Sequence, residues 1–509
     1  MNAEVVRGVD EVIADSGLDV ILPLLGPYVA AQRWSGGRGS DVVAVEFVDA
    51  VTLSAADPLI VFTLVEVRFA DGRTVRYALP IGVRPVGDPL AERAPSFVIG
   101  EASLHGRPVF VYDALGDPDY IHWIWDSIRT GRSTRTAGAV LSFDPTDGEY
   151  LANGDPPEVR WLTAEQSNTS VVLNDETFLK HLRRVEAGPS HELEMAGALR
   201  SVGFANLART DGVGLYAPPD ESPSLLVLLQ EYLRNGTEGW ALALTSLRDL
   251  YAEAEEDHVR DALERQVAVD EQGGNFAAEA ARLGAVTGEM HVALASPELG
   301  PAMEPVPLTR ADLGAWADAM TAELDRLLAV DSELLLPLRE ERAGIVQHFD
   351  ALRGLEPGGM RTRVHGDLHL GQMLRTDSGW VILDFEGEPN RRSAERRART
   401  SPLRDVAGML RSLDYAAAAA LAERAHAGSS EWRELVAQGD AWAAANRDAF
   451  WAAYLAAVDR TELLPSPGSA LLLRRAFEVQ KAIYEVDYEL GHRPSWAAIP
   501  VRFLLLGAR

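Results

Sequence analysis

The chain has no cysteine in 509 residues. Disulfides, thiolate nucleophiles and thiolate metal sites are thereby excluded, which fits a reducing compartment. No stretch of apolar residues is long enough to span a bilayer, so no membrane helix is expected. The opening Met1-Asn2-Ala3-Glu4 has an early acid and no basic segment ahead of an apolar one. No signal peptide is expected, and a cytoplasmic location is the default. Positive charge is scarce: 48 Lys and Arg stand against 76 Asp and Glu, a formal net charge of −28. Such a surface repels nucleic acid and anionic membranes, so any anionic nucleotide must be met by local cations and Mg²⁺. No internal repeat is found. No zinc-ligand spacing surrounds His291 or His369, which read as structural.

What is present is ordinary for a globular chain: 47% apolar and 24% charged residues. The length suggests about three structural units. Residues 1–130 read as mixed helix and strand, with a turn at Asp71-Gly72 between strand-like runs. Residues 131–233 are β-rich, with a turn at Asn174-Asp175, a helix from His191 and a continuous apolar strand from Ser224 to Tyr232. Residues 234–509 carry apolar residues at helical spacing, interrupted near Gly354–Met360 for a hairpin. Asp270-Glu271-Gln272-Gly273-Gly274 reads as a loop, Ala416–Ala420 as helix interior. The fold class expected is α+β, with strands first, helices later and a site between two lobes.

The chemistry concentrates in Val364-His365-Gly366-Asp367-Leu368-His369-Leu370-Gly371-Gln372 and in Val381-Ile382-Leu383-Asp384-Phe385-Glu386-Gly387. Phosphoryl transfer needs positioning, metal ions to neutralise charge and one group to orient the attacking hydroxyl. Asp367 suits the orienting role, while Gln372 and Asp384 offer hard oxygen ligands to Mg²⁺. A hairpin with its turn at Thr376-Asp377-Ser378-Gly379 bridges the two motifs. Upstream, Gln166-Ser167-Asn168-Thr169-Ser170 lies between two strands and presents hydroxyls, amides and backbone N–H groups to a phosphate, though without the glycines of a Gly-rich loop. Lys180 follows on the next strand, and Glu194 on the next helix is its expected partner. Gln230-Glu231-Tyr232 ends the buried strand where an adenine would meet backbone groups.

Lys481, Tyr484, Glu485 and Tyr488 share one helix face, a mixture of cation, ring and carboxylate that suits a sugar. Arg391, Arg392, Arg396, Arg397 and Arg399 form a basic run that reads as a solvated face, and Trp34 as a packing residue.

These motifs resemble the aminoglycoside-phosphotransferase-like kinases and, within them, the bacterial maltokinases. The likeness extends to Glu388-Pro389, to the segment from Ser401 to Ser412, to Arg183-Arg184-Val185-Glu186, to His492-Arg493-Pro494, and to Gln32-Arg33-Trp34 with Gly36-Gly37-Arg38-Gly39. It departs at Ser35 and at Gln480. The resemblance implies a bilobal, protein-kinase-like fold with an N-terminal cap (1–130), a β-rich nucleotide-binding subdomain (131–233) and a helical C-lobe (234–509). It implies ATP and Mg²⁺ as cofactors and phosphorylation of maltose at its anomeric hydroxyl to maltose 1-phosphate. That product feeds α-glucan and glycogen synthesis and links it to trehalose. Asp367 is implied as catalytic base, Gln372 and Asp384 as metal ligands and Lys180 as phosphate ligand. The sugar is implied to meet Asp367, His369, Glu386, Arg404, Lys481, Tyr484 and Glu485. Expected partners are a small sugar, ATP and a trehalose-interconverting enzyme, in a monomer or homodimer. A glucosamine kinase of the same fold is the alternative. A catalytically silent nucleotide-binding scaffold is a further one, which the joint presence of Asp367, Gln372, Asp384 and Lys180 argues against.

Overall fold

The computed structural model describes residues 8–35, 41–146, 156–162, 167–256, 262–388, 391–424 and 429–507. They fall into two compact units, 1–190 with 208–234 and 191–207 with 235–509. Gly36–Gly39, Gln166, Pro389 and Ala425 lie outside the described residues.

The first unit is built on two antiparallel sheets. One has six strands, ordered Val42–Ser54, Leu59–Phe69, Ile81–Pro85, Arg107–Asp113, Val98–Leu104, with Thr74–Ala78 paired to the second of them. Leu59–Phe69 is apolar throughout because both of its faces are covered. Val61, Val65 and Val67 pack with Leu18, Ile21, Leu25 and Val29 of the N-terminal helical segment. Ile60, Phe62 and Leu64 point the other way, into a second core. That core is closed by the helix Pro118–Thr130, through Ile121, Ile124 and Ile128, and by the second sheet. The second sheet has seven strands, ordered Ser133–Arg135, Val140–Pro145, Thr210–Ala217, Ser224–Glu231, Thr177–Leu182, Asn168–Leu173, Val159–Trp161. The expected turns are present. Gly72 takes φ +85°, and Asn174 and Asp175 both take φ 52°, a region these short polar side chains tolerate.

A buried ion pair joins the two sheets. Arg183 and Asp113, at 1% and 0% exposure, meet at 2.5 Å. Tyr28 donates to the same carboxylate at 3.1 Å, and Leu115 N–H donates to its other oxygen at 3.1 Å. Arg183 lies over the Trp34 ring, 4.9 Å from its centroid, and donates from Nε to Thr169 Oγ1 at 2.9 Å. Trp34 is thus a packing residue whose partner is a cation.

The second unit is helical apart from short strands. Its main helices are Gly239–Glu256, Ala262–Leu294, Arg310–Leu328, Arg342–Arg353, Leu403–Arg424, Ser430–Val458, Pro467–His492 and Ala498–Gly507. Leu283, Met290, Leu324, Phe349, Leu410, Trp442 and Phe477 lie in one continuous core. Residues 270–274, expected to be a loop, continue the helix Ala262–Leu294. Glycine costs a helix about 1 kcal/mol, and close tertiary packing offsets that cost here. A Cβ on Gly284 would sit 2.1 Å from the Phe450 carbonyl of the neighbouring helix. The expected catalytic hairpin is Met373–Thr376 paired with Gly379–Ile382, extended by Thr237–Glu238. No single helix among the described residues is long and apolar enough to cross a membrane. Val9–Ser16 with Leu18–Ala31 qualifies only as a pair bent by 89°, and its apolar side chains are in the sheet's core.

Removing one member of a buried ion pair costs about 3–5 kcal/mol, because a charge is left without a counterion. Asp113→Asn should therefore lower the stability of the first unit by about that amount in urea unfolding followed by tryptophan fluorescence. A loss below about 1 kcal/mol would show that Arg183 finds other compensation.

Candidate active site

The turn bearing Asp367 hangs on a carboxylate that the sequence reading did not single out. Asp405, 1% exposed, accepts from the backbone N–H groups of His365 (2.8 Å) and Gly366 (2.9 Å). His291 Nε2 lies 3.0 Å from the same carboxylate, and His291 Nδ1 lies 3.1 Å from the Tyr454 hydroxyl. Burial disfavours the charged form of Asp405, but His291, His365 and the Gly366 N–H outweigh it and hold its pKa below the usual value. The available sequence signal was an acid in the first turn of a helix, between Leu403 and Val406; such a group must find donors.

His365 joins this turn to the second motif. Its Nδ1 accepts from Asp367 N–H (3.3 Å), so Nε2 carries the proton and donates to the Leu383 carbonyl at 2.8 Å. Its ring packs on Phe385 with centroids 4.8 Å apart. Gly366, at φ +88°, lets the chain reverse between these anchors. Asp384 has φ 58°, a left-handed conformation that a non-glycine residue rarely adopts outside functional turns. Gln372 donates from Nε2 to Asp384 Oδ2 at 3.2 Å; turning the amide over would present its oxygen in the same place.

Glu192, Asp384 and Glu386 each offer a carboxylate oxygen within 4.8 Å of the others. Hard oxygen donors at this separation suit Mg²⁺. Two expectations change here. Glu386, assigned to the sugar, belongs with the cation ligands. Glu194, the expected partner of Lys180, has both oxygens bound by guanidinium groups of its own unit: Arg397 at 2.8 Å to each, and Arg363 at 3.0 Å. Glu192, one turn-fraction earlier on the helix His191–Ser201, is the carboxylate beside the metal motif. Apolar flanking residues did not discriminate between the two.

Lys481 connects the reacting carboxylate to a buried one. Its Nζ donates to Asp367 Oδ1 at 2.9 Å and to Glu388 Oε1 at 3.2 Å, and lies 4.6 Å from the centroid of the Tyr484 ring. Arg404 donates to Glu388 at 2.8 Å, and Arg391 forms a further ion pair with it. Burial opposes ionisation of Glu388, yet Arg404, Lys481 and Arg391 together hold its pKa well below the carboxylate range. Burial likewise opposes the Lys481 charge, but Asp367 and Glu388 raise its pKa above the ordinary value. Asp367, Lys481, Tyr484, Gln480, Glu323 and Glu388 line one recess. It widens past Arg326 and Asp487 into a groove of about 560 Å³.

The remaining assignments divide. Arg404 is on the recess wall through Glu388. His369 accepts from Gly371 N–H at 3.0 Å and caps the short turn Leu370–Gln372; burial lowers its pKa and keeps it neutral. Glu485 is turned from the recess toward Arg411, which donates to it at 2.6 Å and is 1% exposed. One helical face was too coarse a criterion: Lys481 and Tyr484 reach the recess, and the next residue faces the neighbouring helix. The arginine run is not a solvated face either. Arg391, Arg396, Arg397 and Arg399 are each partly buried and bonded to groups of this unit.

In the first unit, strand register sets Ser170, Lys180 and Leu228 side by side on three adjacent strands. Lys180 is buried, Ser167 exposed, and Asn168 donates to Ser167 Oγ at 3.3 Å. Thr169 is turned inward to Arg183. Gln230 and Glu231 pair with Phe178 and Thr177, and Tyr232 N–H donates to the Glu176 carbonyl at 2.8 Å.

Comparison with known proteins agrees with this arrangement. Residues 28–117 match the maltokinase N-terminal cap domain. A glucosamine kinase of Streptacidiphilus jiangxiensis is 30% identical over 459 residues, covering 84% of this chain and 95% of that protein. A glucosamine kinase of Mycolicibacterium smegmatis is 30% identical over 363 residues, covering 69% and 78%. The solved structure of a glucosamine kinase in complex with glucosamine, ADP and inorganic phosphate superposes with a TM-score of 0.61 at 23% identity, covering 94% of this chain and 98% of that one. The fold is kinase-like, and the protein is of the sugar-kinase class. The chain belongs to the family of these glucosamine kinases.

A carboxylate whose pKa is depressed by folding stabilises the protein above its unfolded value, and the contribution fades as pH falls. Glu388→Gln should therefore be less stable than the parent protein at pH 7. The difference should shrink as pH drops below about 4.3, the ordinary glutamate value, toward the lower folded one. Chemical unfolding from pH 7 to pH 3 measures it; a pH-independent difference would remove Glu388 as the charged hub.

Proposed function

We propose that this protein is an ATP- and Mg²⁺-dependent kinase whose acceptor is glucosamine. The observation that carries the acceptor is Glu323. It lies in the recess with Asp367, and its hydrogen bond comes from the neutral amide of Gln480 at 2.8 Å. Glu388, by contrast, is already saturated by Lys481, Arg391 and Arg404. A carboxylate held by an amide remains a good counter-charge for an ammonium. The 30% identity to two glucosamine kinases supports this reading.

In this reading Asp367 accepts the proton of the sugar hydroxyl as that oxygen bonds to the γ-phosphorus and the bond to ADP breaks. Lys481 fixes the Asp367 carboxylate in place. Magnesium, when bound, neutralises charge on the transferring phosphates; Glu192, Asp384 and Glu386 hold it, with Gln372 supplying an amide oxygen. Residues 131–233 hold the nucleotide, with Ser167, Asn168 and Ser170 toward phosphates, Lys180 pairing with them and the Gln230–Tyr232 edge toward the base.

A second reading, maltose phosphorylated at its anomeric hydroxyl for α-glucan synthesis, is favoured by the cap match over 28–117 and by a groove wide enough for a second ring.

An ADP-release assay with glucosamine, maltose, glucose, trehalose and an aminoglycoside separates these readings. Glucosamine is expected to give the highest kcat/KM. Preferential turnover of maltose with loss of its reducing end would replace it. Asp367→Asn should keep ATP binding and lose about 10²–10⁴ in kcat; near-normal turnover would remove it as the base. Glu323→Gln should raise KM for glucosamine roughly tenfold or more, the size of a charged hydrogen bond, and change glucose little. Equal effects on both sugars would refute the ammonium contact.

A further inference from the structure

We infer that a second recess, contiguous with the acceptor recess, is a subsite for a phosphate monoester of a sugar. It has about 250 Å³ of space. One wall is apolar: Trp316 and Phe477, with ring centroids 5.5 Å apart. The other carries Arg391, Arg396, Arg399 and Arg404. Gly366, Glu388 and Gln480 belong to both recesses, so a ligand in one approaches the other.

The arginine wall has more positive charge than its own carboxylates compensate. Arg391 and Arg404 share Glu388 with Lys481, three cations on one carboxylate. Glu395 is engaged by the Arg392 backbone N–H at 3.2 Å. Arg399 donates to the carbonyls of Glu304 (2.7 Å), Pro301 (2.9 Å) and Ala302 (3.1 Å), which orient the guanidinium without neutralising it. Arg396 donates to the Glu386 carbonyl at 3.3 Å. Burial, together with Arg397 and Arg399, holds the Arg363 pKa below its ordinary value despite Glu194. In a chain of net charge −28, such a concentration of guanidinium groups is a specific attraction for a compact anion.

The apolar wall selects among anions. Tryptophan and phenylalanine pack against the C–H face of a pyranose, and arginine forks match a phosphate's oxygens. Free phosphate would satisfy only one wall. A phosphorylated sugar satisfies both, and its occupancy excludes the next acceptor through the shared residues. The subsite rests on the sugar-kinase reading for its biological sense: it is where a phosphorylated sugar would hold the enzyme back.

The test is calorimetric binding to the full chain with saturating ADP and a chelator, so that phosphate sites for nucleotide are filled and no turnover occurs. The probes are glucose 6-phosphate, glucose and inorganic phosphate. Glucose 6-phosphate is expected to bind at least tenfold more tightly than glucose, and inorganic phosphate to compete with it. Arg399→Gln should erase that tenfold advantage and leave glucose unchanged. Trp316→Ala should weaken glucose 6-phosphate and spare inorganic phosphate. The proposal is overturned if the ester binds no better than glucose, if inorganic phosphate alone binds, or if a folded Arg399→Gln retains the difference. Should Arg399→Gln fail to fold, Arg396→Gln is read by the same criterion. If no sugar is turned over yet ester binding depends on these arginines, the kinase reading falls and the subsite stands.

Discussion

The catalytic geometry depends on one fully buried carboxylate. Asp405 receives two consecutive backbone N–H groups from the turn that carries Asp367, and His291 from a distant helix. A carboxylate accepting two or three donors in an apolar surround is rigid, since each lost bond exposes a desolvated charge. His365 then transmits this fixed position to Leu383, next to Asp384. The base and the metal motif are separated in sequence by a whole hairpin, yet both are referred to one anchor. The 33-residue helix Ala262–Leu294 matters to chemistry for this reason: it carries His291.

A second hub, Glu388, organises the acceptor side. Three cations converge on it, and one of them, Lys481, also touches Asp367. A lysine between two carboxylates stays protonated, so it orients and compensates rather than exchanging protons. The acceptor recess therefore contains one carboxylate for the proton, one for structure and, in Glu323, one held by an amide.

Legibility in the sequence followed the physics of each signal. Asp367, Gln372 and Asp384 were readable because their chemistry is local: a short loop and a strand end fix the spacing. The strands and the turns at Gly72 and Asn174-Asp175 were readable from alternation and left-handed-tolerant residues. Choices that depend on rotation about a helix axis were not. Glu192 and Glu194 differ by two residues, and Glu485 follows Tyr484 directly, but their neighbours come from other elements. The loop expected at 270–274 failed for the same reason: glycine signals a break only until a partner helix packs against it. Asp405 and the cationic wall were invisible because their partners, at His291, Glu304 and Glu388, are remote in sequence.

The Arg183–Asp113 pair has a mechanical meaning. Asp113 ends a strand of the sheet matched to the cap, whereas Arg183 follows the strand bearing Lys180 and holds Thr169. With both charges buried, sliding one sheet over the other would separate them in a medium that solvates neither. The cap is therefore a handle rigidly fixed to the nucleotide strands, and a force applied to its outer face is delivered to Thr169 without slack.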